Sequence, residues 1–235
     1  MKNTLKLIAA YAHPVCFRGL FVAYFLSLAG CALPTAPARP AVYDFGAGSL
    51  QPTPASATRP LVKPPLIVGE IEASPALDST AMLYRLAYAN PQQLQPYTQA
   101  RWSMPPAQLL RQRLRAHLGE HHALLNAGDH LAIGTKTALA PTSRPTPPQA
   151  VMSLRLELEE FSQLFDAPEH STGLLRLRAT LTQASPTGQQ LINQRSFTLQ
   201  RPAPSPDAAG GVQALSAASE ALALEVEAWV AGVGR

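Results

Sequence analysis

Cysteine is nearly absent from this chain of 235 residues, which contains only Cys16 and Cys31. A framework of several disulfides is thereby excluded, and so is a zinc site built on several thiolates. Charge is thin as well, at 14% of residues, and forms no block of Lys or Arg. Nucleic-acid binders need such a basic footprint, so that class of partner falls away. No apolar run reaches the roughly 20 residues that a membrane-spanning helix requires. Catalytic signatures are missing too: there is neither a Gly-x-Ser-x-Gly elbow nor a His-Glu-x-x-His pair. The chain reads as something other than an enzyme. What it does have is proline, 23 residues of it, and leucines in regular alternation.

The N-terminal stretch has a tripartite layout. Lys2 and Lys6 open it, an apolar segment from Leu20 to Leu28 follows, and small residues lead to Cys31. That is the pattern of a secretory signal, and the apolar segment is too short to span a bilayer. Leu28-Ala29-Gly30-Cys31 resembles the lipobox of bacterial lipoproteins. The resemblance implies cleavage before Cys31, acylation of its sulfur and new amino group, and a lipid anchor. Ala32 follows where an Asp would signal inner-membrane retention in enteric bacteria, so the resemblance points to the periplasmic face of the outer membrane. Removing residues 1–30 takes Lys2, Lys6 and Arg18 and no acid, so the net charge of +4 falls to +1. The basic character belongs largely to the signal.

Three segments are expected: a signal peptide at 1–30, the lipidated cysteine with a proline-rich tether at 31–40, and one domain at 41–231. A second proline-rich stretch covers Ser49 to Pro60. Short strands are read at Ala41 to Gly46, at Pro65 to Ile71 and at Met82 to Tyr88, with Asn90-Pro91 breaking the last. Pro105-Pro106 opens a helix whose stripe is Leu109, Leu110, Leu114 and Leu118, and Gly119 ends it. Leu154, Leu156 and Leu158 alternate with Arg155, Glu157 and Glu159, which predicts a strand with one buried and one wet face. Leu175, Leu177, Ala179 and Leu181 do the same around Arg176 and Arg178. An antiparallel pairing of these two would set arginines across from glutamates. A further strand lies within Leu191 to Leu199, and a helix from about Asp207 to Val230 caps the sheet. Ala138 to Gln149 reads as a proline-rich loop. The expected fold class is α+β, an antiparallel sheet with helices packed on one face.

Candidate chemistry is sparse. His117, His121 and His122 beside Glu120 have spacings that could place two imidazoles on one helix face, but Gly119 interrupts it, and a solvated helix end is the plainer reading. Asp129-His130 are adjacent and so seldom face one another, and Gly128 to Thr137 lacks the spacing of a phosphate loop. No metal site and no cofactor are expected. Tyr84, Arg85, Tyr97 and Trp102 gather within twenty residues. Tyr, Trp and Arg favour partner surfaces, and aromatics equally suit packing within a sheet.

Tyr43-Asp44-Phe45-Gly46, Leu77-Asp78 through Met82-Leu83-Tyr84-Arg85, Tyr97, and Arg101-Trp102 before Pro105-Pro106 together resemble the ABC-type transport auxiliary lipoprotein component family. The similarity spans most of residues 41–231, and Ala138 to Gln149 departs from it. Members accompany Mce-type, paraquat-inducible-type lipid transporters of Gram-negative bacteria. The resemblance therefore implies an outer-membrane auxiliary component that assists phospholipid or related lipid transport between the membranes. Its implied partners are an Mce-domain protein and an ABC permease and ATPase complex, with the membrane held through the lipid anchor. Phospholipid binding and homo-oligomerisation stay open. A structural or assembly lipoprotein of another envelope complex is the alternative.

Overall fold

Leu154, Leu156 and Leu158 are at most 3% exposed while Arg155 and Glu157 lie in solvent, so the leucine alternation does set one buried face. The computed structural model describes residues 39–46, 63–126, 151–185 and 188–233; Cys31, Ser49 to Pro60, and the predicted loop at 138–149 lie outside them. The elements in order are β1 (Ala41–Tyr43), β2 (Lys63–Ala73), β3 (Ala81–Leu86), β4 (Asn90–Trp102), α1 (Pro106–Gly119), β5 (His122–Leu125), β6 (Met152–Ala167), β7 (His170–Ser185), β8 (Gly188–Pro202) and α2 (Ala208–Val233). The class is α+β: among the described residues, eight strands form one sheet, with two helices on its apolar face.

The sheet is mixed rather than wholly antiparallel. β6/β7, β7/β8 and β3/β4 are antiparallel, whereas β1/β4, β2/β5, β2/β6 and β3/β6 are parallel. An alternating pattern reports which face is buried and carries no information on the direction of the neighbouring strand. β6 organises the whole. β7 pairs with it throughout its length. Along its other edge, Met152 to Leu158 pair with β2 and Gln163 to Phe165 pair with β3, so the sheet forks. A bulge between Leu158 and Glu160 lies where the two branches part. The extra residue moves the core-facing set from even to odd numbers, to Phe161, Gln163 and Phe165. Leu77, 3% exposed, sits in the turn joining β2 to β3, where Leu77 N donates to Ser74 O at 2.8 Å.

The expected cross-strand charges are present. Glu157 opposes Arg178 in register, and Arg178 pairs with both Glu157 and Glu159. Asn90-Pro91, read as a strand breaker, instead begins β4; its prolines, Pro91 and Pro96, are tolerated where, among the described residues, the strand's other edge pairs with β1 only at Ala100 to Trp102. α1 buries Leu109, Leu110, Leu114 and Leu118 as its stripe predicts. α2 starts on Asp207, whose Oδ1 accepts from Gly210 N at 2.7 Å and from Ser205 Oγ at 2.7 Å. Those two bonds, the Gly210 one foremost, hold the Asp207 carboxyl below its ordinary pKa. Its buried face runs through Leu215, Leu222, Val226 and Trp229.

This packing separates two neighbouring positions in β6. Leu156→Ala should cost about 2–5 kcal/mol, because it opens a cavity in the buried core. Glu157→Ala on the wet face should cost under about 1 kcal/mol. Urea denaturation of the two variants tests this, and equal losses would contradict the assignment of faces.

Candidate functional site

The Tyr43-Asp44-Phe45-Gly46 segment leaves β1 and turns along α1. Ser103 N donates to Tyr43 O at 2.7 Å, and Gly46 N donates to Asp44 Oδ1 at 2.8 Å. Gly46 has φ of +72°, a left-handed conformation that a residue with a Cβ adopts only under strain. Phe45 is thereby set against the core aromatics, with ring centroids 5.8 Å from Trp102 and 6.1 Å from Phe161.

On its other side Phe45 borders a groove of about 490 Å³, within the range of small-ligand sites. Met104, Leu109 and Ala116 supply apolar lining, and Asp44, Arg113, His117, Glu120 and Glu220 supply charge and polarity. Arg113 spans the groove wall: Nη1 donates to Glu220 Oε2 at 2.8 Å, Nη2 donates to Phe45 O at 2.9 Å, and the guanidinium carbon lies 5.8 Å from the Phe45 ring centre. Glu220 also receives His117 Nε2 at 2.9 Å. Just past the end of α1 a similar arrangement follows: Glu227 Oε1 accepts from Lys63 Nζ at 3.3 Å, and His121 Nδ1 lies 2.8 Å from the same oxygen without hydrogen-bond geometry. Two glutamates seven residues apart on α2 thus clamp α1 and β2. The Glu220 side chain is 42% exposed, so its ion pairs are screened by water and add little stability.

The structure separates the three neighbouring histidines. His117 faces Glu220, His121 faces Glu227, and His122, expected at a solvated helix end, is 2% exposed in β5 with Nδ1 2.8 Å from Pro64 O. Burial lowers the His122 pKa, opposed by the Pro64 bond and aided by Lys63. The sign follows directly. A folded-state pKa below the ordinary 6.5 means that the unfolded chain takes the proton more readily, so stability is complete above 6.5 and declines as pH falls through it. His122→Asn keeps a donor for Pro64 O and removes the titration. Melting followed from about pH 7.5 to about pH 5.5 should show a smaller drop for the variant than for the wild type. Identical drops would dismiss His122 as the cause.

Of the predicted aromatic and arginine set, Trp102 is 1% exposed and packs the core, where its ring lies 5.6 Å from Phe161. It lines no surface. Tyr84, Arg85 and Tyr97 come together at the second branch of the fork and are half-buried. The Tyr84 and Tyr97 ring centres are 4.7 Å apart, and Tyr84 OH donates to Gln95 Oε1 at 3.0 Å. Tyr97 OH donates to Gln163 Oε1 at 2.8 Å, and Gln163 Nε2 donates to Ser171 Oγ at 2.8 Å. Burial first, then Tyr84 and Asp207, push the Tyr97 pKa to about 12, so the phenol remains a donor. Arg85 Nη2 donates to Glu160 Oε2 at 3.1 Å, and Nη1 reaches Pro91 O and Gln92 O. Sequence reasoning missed Arg113 and Glu220. The spacing of Arg113 and His117 along α1 was visible, but the helix they would meet was not.

Sheet, helix layer and groove define an α+β domain in which a forked, mixed sheet is covered on one face by two clamped helices. The chain belongs to the ABC-type transport auxiliary lipoprotein component family, whose sequence pattern matches residues 49–227. Solved structures agree on the fold. A Xanthomonas campestris protein is similar at 19% identity with a TM-score of 0.56, covering 75% of this chain and 89% of its own. An uncharacterised protein is similar at 16% identity with a TM-score of 0.55, covering 82% of this chain and 99% of its own. No curated protein matches in sequence. Among the described residues, no helix is long and apolar enough to cross a membrane.

Proposed function

We propose that the protein is the lipid-anchored, outer-membrane auxiliary component of an Mce-type ABC transporter, assisting phospholipid or related lipid transport between the membranes. Membership of the transport auxiliary lipoprotein family carries this reading. The lipobox-like Leu28-Ala29-Gly30-Cys31 supports the anchor, and Ala32 supports the outer membrane. The groove beside Phe45 suits a polar headgroup or a polypeptide better than acyl chains, because five of its lining residues are charged or titratable. That lining favours docking to the transporter over enclosing a lipid within this domain. Tyr84 and Arg85 are the proposed docking residues at the fork, with the Tyr97 ring packed against Tyr84.

Cross-linking in cells that express the tagged full chain, followed by purification and mass spectrometry, tests the reading. Recovery of an Mce-domain protein with the permease and ATPase is expected, together with detergent sensitivity when the gene is deleted. Recovery of a different envelope complex alone would replace this function with the assembly role.

A further inference from the structure

The edges of the forked sheet are unequally protected. β1 offers three residues and β5 four, and β4 carries Pro91 and Pro96. Short strands and prolines are the usual means by which sheets avoid unwanted pairing. β8 has neither defence. It runs for 15 residues, pairs among the described residues only with β7, and has no proline before its last residue, Pro202. From Asn193 to Pro202 its register against β7 is unbroken. Ten residues of regular strand, about 33 Å at roughly 3.3 Å per residue, present their outer backbone groups with no described element beside them.

The side chains along this edge have one sign. Arg195 and Arg201 are the only charged residues in β8, six positions apart on the same face, with Phe197 and Leu199 between them. Arg195 stacks 4.7 Å from the Phe197 ring centre and reaches Glu225 only at 3.8 Å. Arg201 Nη1 donates to the carbonyl of Gln200, and among the described residues neither Arg201 nor Arg176, on the adjoining strand, has a carboxylate in ion-pair range. A second copy fits this edge poorly. In the antiparallel registers of greatest overlap, Arg195 of one copy lies directly or diagonally across from Arg201 of the other, and like charges so placed repel.

We propose that Asn193–Pro202 of β8 is a β-augmentation site for an extended segment of a partner protein carrying two acidic side chains six residues apart. Its backbone would extend the sheet and its acids would meet Arg195 and Arg201. The edge would accept such a strand whatever machine the protein serves.

The test uses the full chain and two fluorescent peptides containing Glu-Thr-Val-Thr-Val-Thr-Glu or the same sequence with lysine at both ends. Anisotropy should show the acidic peptide binding about tenfold or more tightly than the lysine one, and more weakly as salt is raised. The double variant R195E/R201E should invert that preference. Amide exchange on the unmodified protein should show new protection confined to β8, which keeps the test valid should the variant fold poorly. Equal binding of both peptides, binding of neither, or protection elsewhere overturns the proposal. So does sedimentation of the free chain as a dimer whose β8 amides are already protected, because a second copy would then own the edge.

Discussion

Gly173→Ala should destabilise the protein by about 3 kcal/mol, a loss out of proportion to one methyl group. Gly173 sits in β7 opposite Gln163, where α2 lies close against the strand. A Cβ there would lie 2.7 Å from Leu215 N, 2.8 Å from the carbonyl carbon of Ala214 and 3.0 Å from its Cβ. Two of these neighbours are helix backbone, so relief requires the whole helix to lift. Lifting it would strip cover from Leu175 and Leu177 and pull Gly211 away from Gln163, whose amide is committed to Tyr97 and Ser171. Gly232→Ala is the control. A Cβ at that position meets nothing within 4 Å, and alanine is the better helix former, so stability should hold or rise by a few tenths of a kcal/mol. Urea denaturation of both variants measures the difference. A Gly173 variant with the midpoint of the wild type would show that the helix is not pressed onto the strand.

The same crossing shows what could and could not be read beforehand. The leucines of β6 and β7 and the stripes of both helices announced their buried faces, because burial of a face imprints a period on the sequence. The bulge at Glu159 did not. It changes the parity of the core-facing residues within one strand, and it is visible only once the register against β7 is known. The fork stayed hidden for a related reason. Parallel and antiparallel neighbours impose the same alternation, and β4, with two prolines and four glutamines, carries little strand character of its own. Trp102 lay between two readings, partner surface and core. Its numbered position could not decide them, since the deciding feature is Phe45, some sixty residues earlier, folded against it. The groove was illegible on the same ground: Arg113, His117 and Glu220 become a site only when α1 meets α2. Local pattern was available, and long-range pairing was not.

Cys31→Ala should abolish lipid anchoring at the outer membrane. Cys31 lies outside the described residues, so the expectation rests on the sequence and on energetics. Each buried methylene of an acyl chain contributes about 0.8 kcal/mol, and one chain alone holds only marginally, whereas the two chains of a diacylglycerol with a third on the amine make the anchor effectively permanent. The rest of the mature chain offers little in exchange. Its net charge of +1 gives weak attraction to anionic headgroups, and no described helix is long and apolar enough to span. The alanine variant should also escape lipidation-dependent cleavage, so its mass should retain residues preceding position 31. Fractionation belongs in cells lacking the transporter genes, where partner proteins cannot hold the domain at the membrane by themselves. Recovery in the soluble periplasmic fraction, or as uncleaved precursor at the inner membrane, is the expected result. Continued partition with outer membranes would mean that the mature domain binds lipid through a surface of its own, and Leu28-Ala29-Gly30-Cys31 would then be no lipobox.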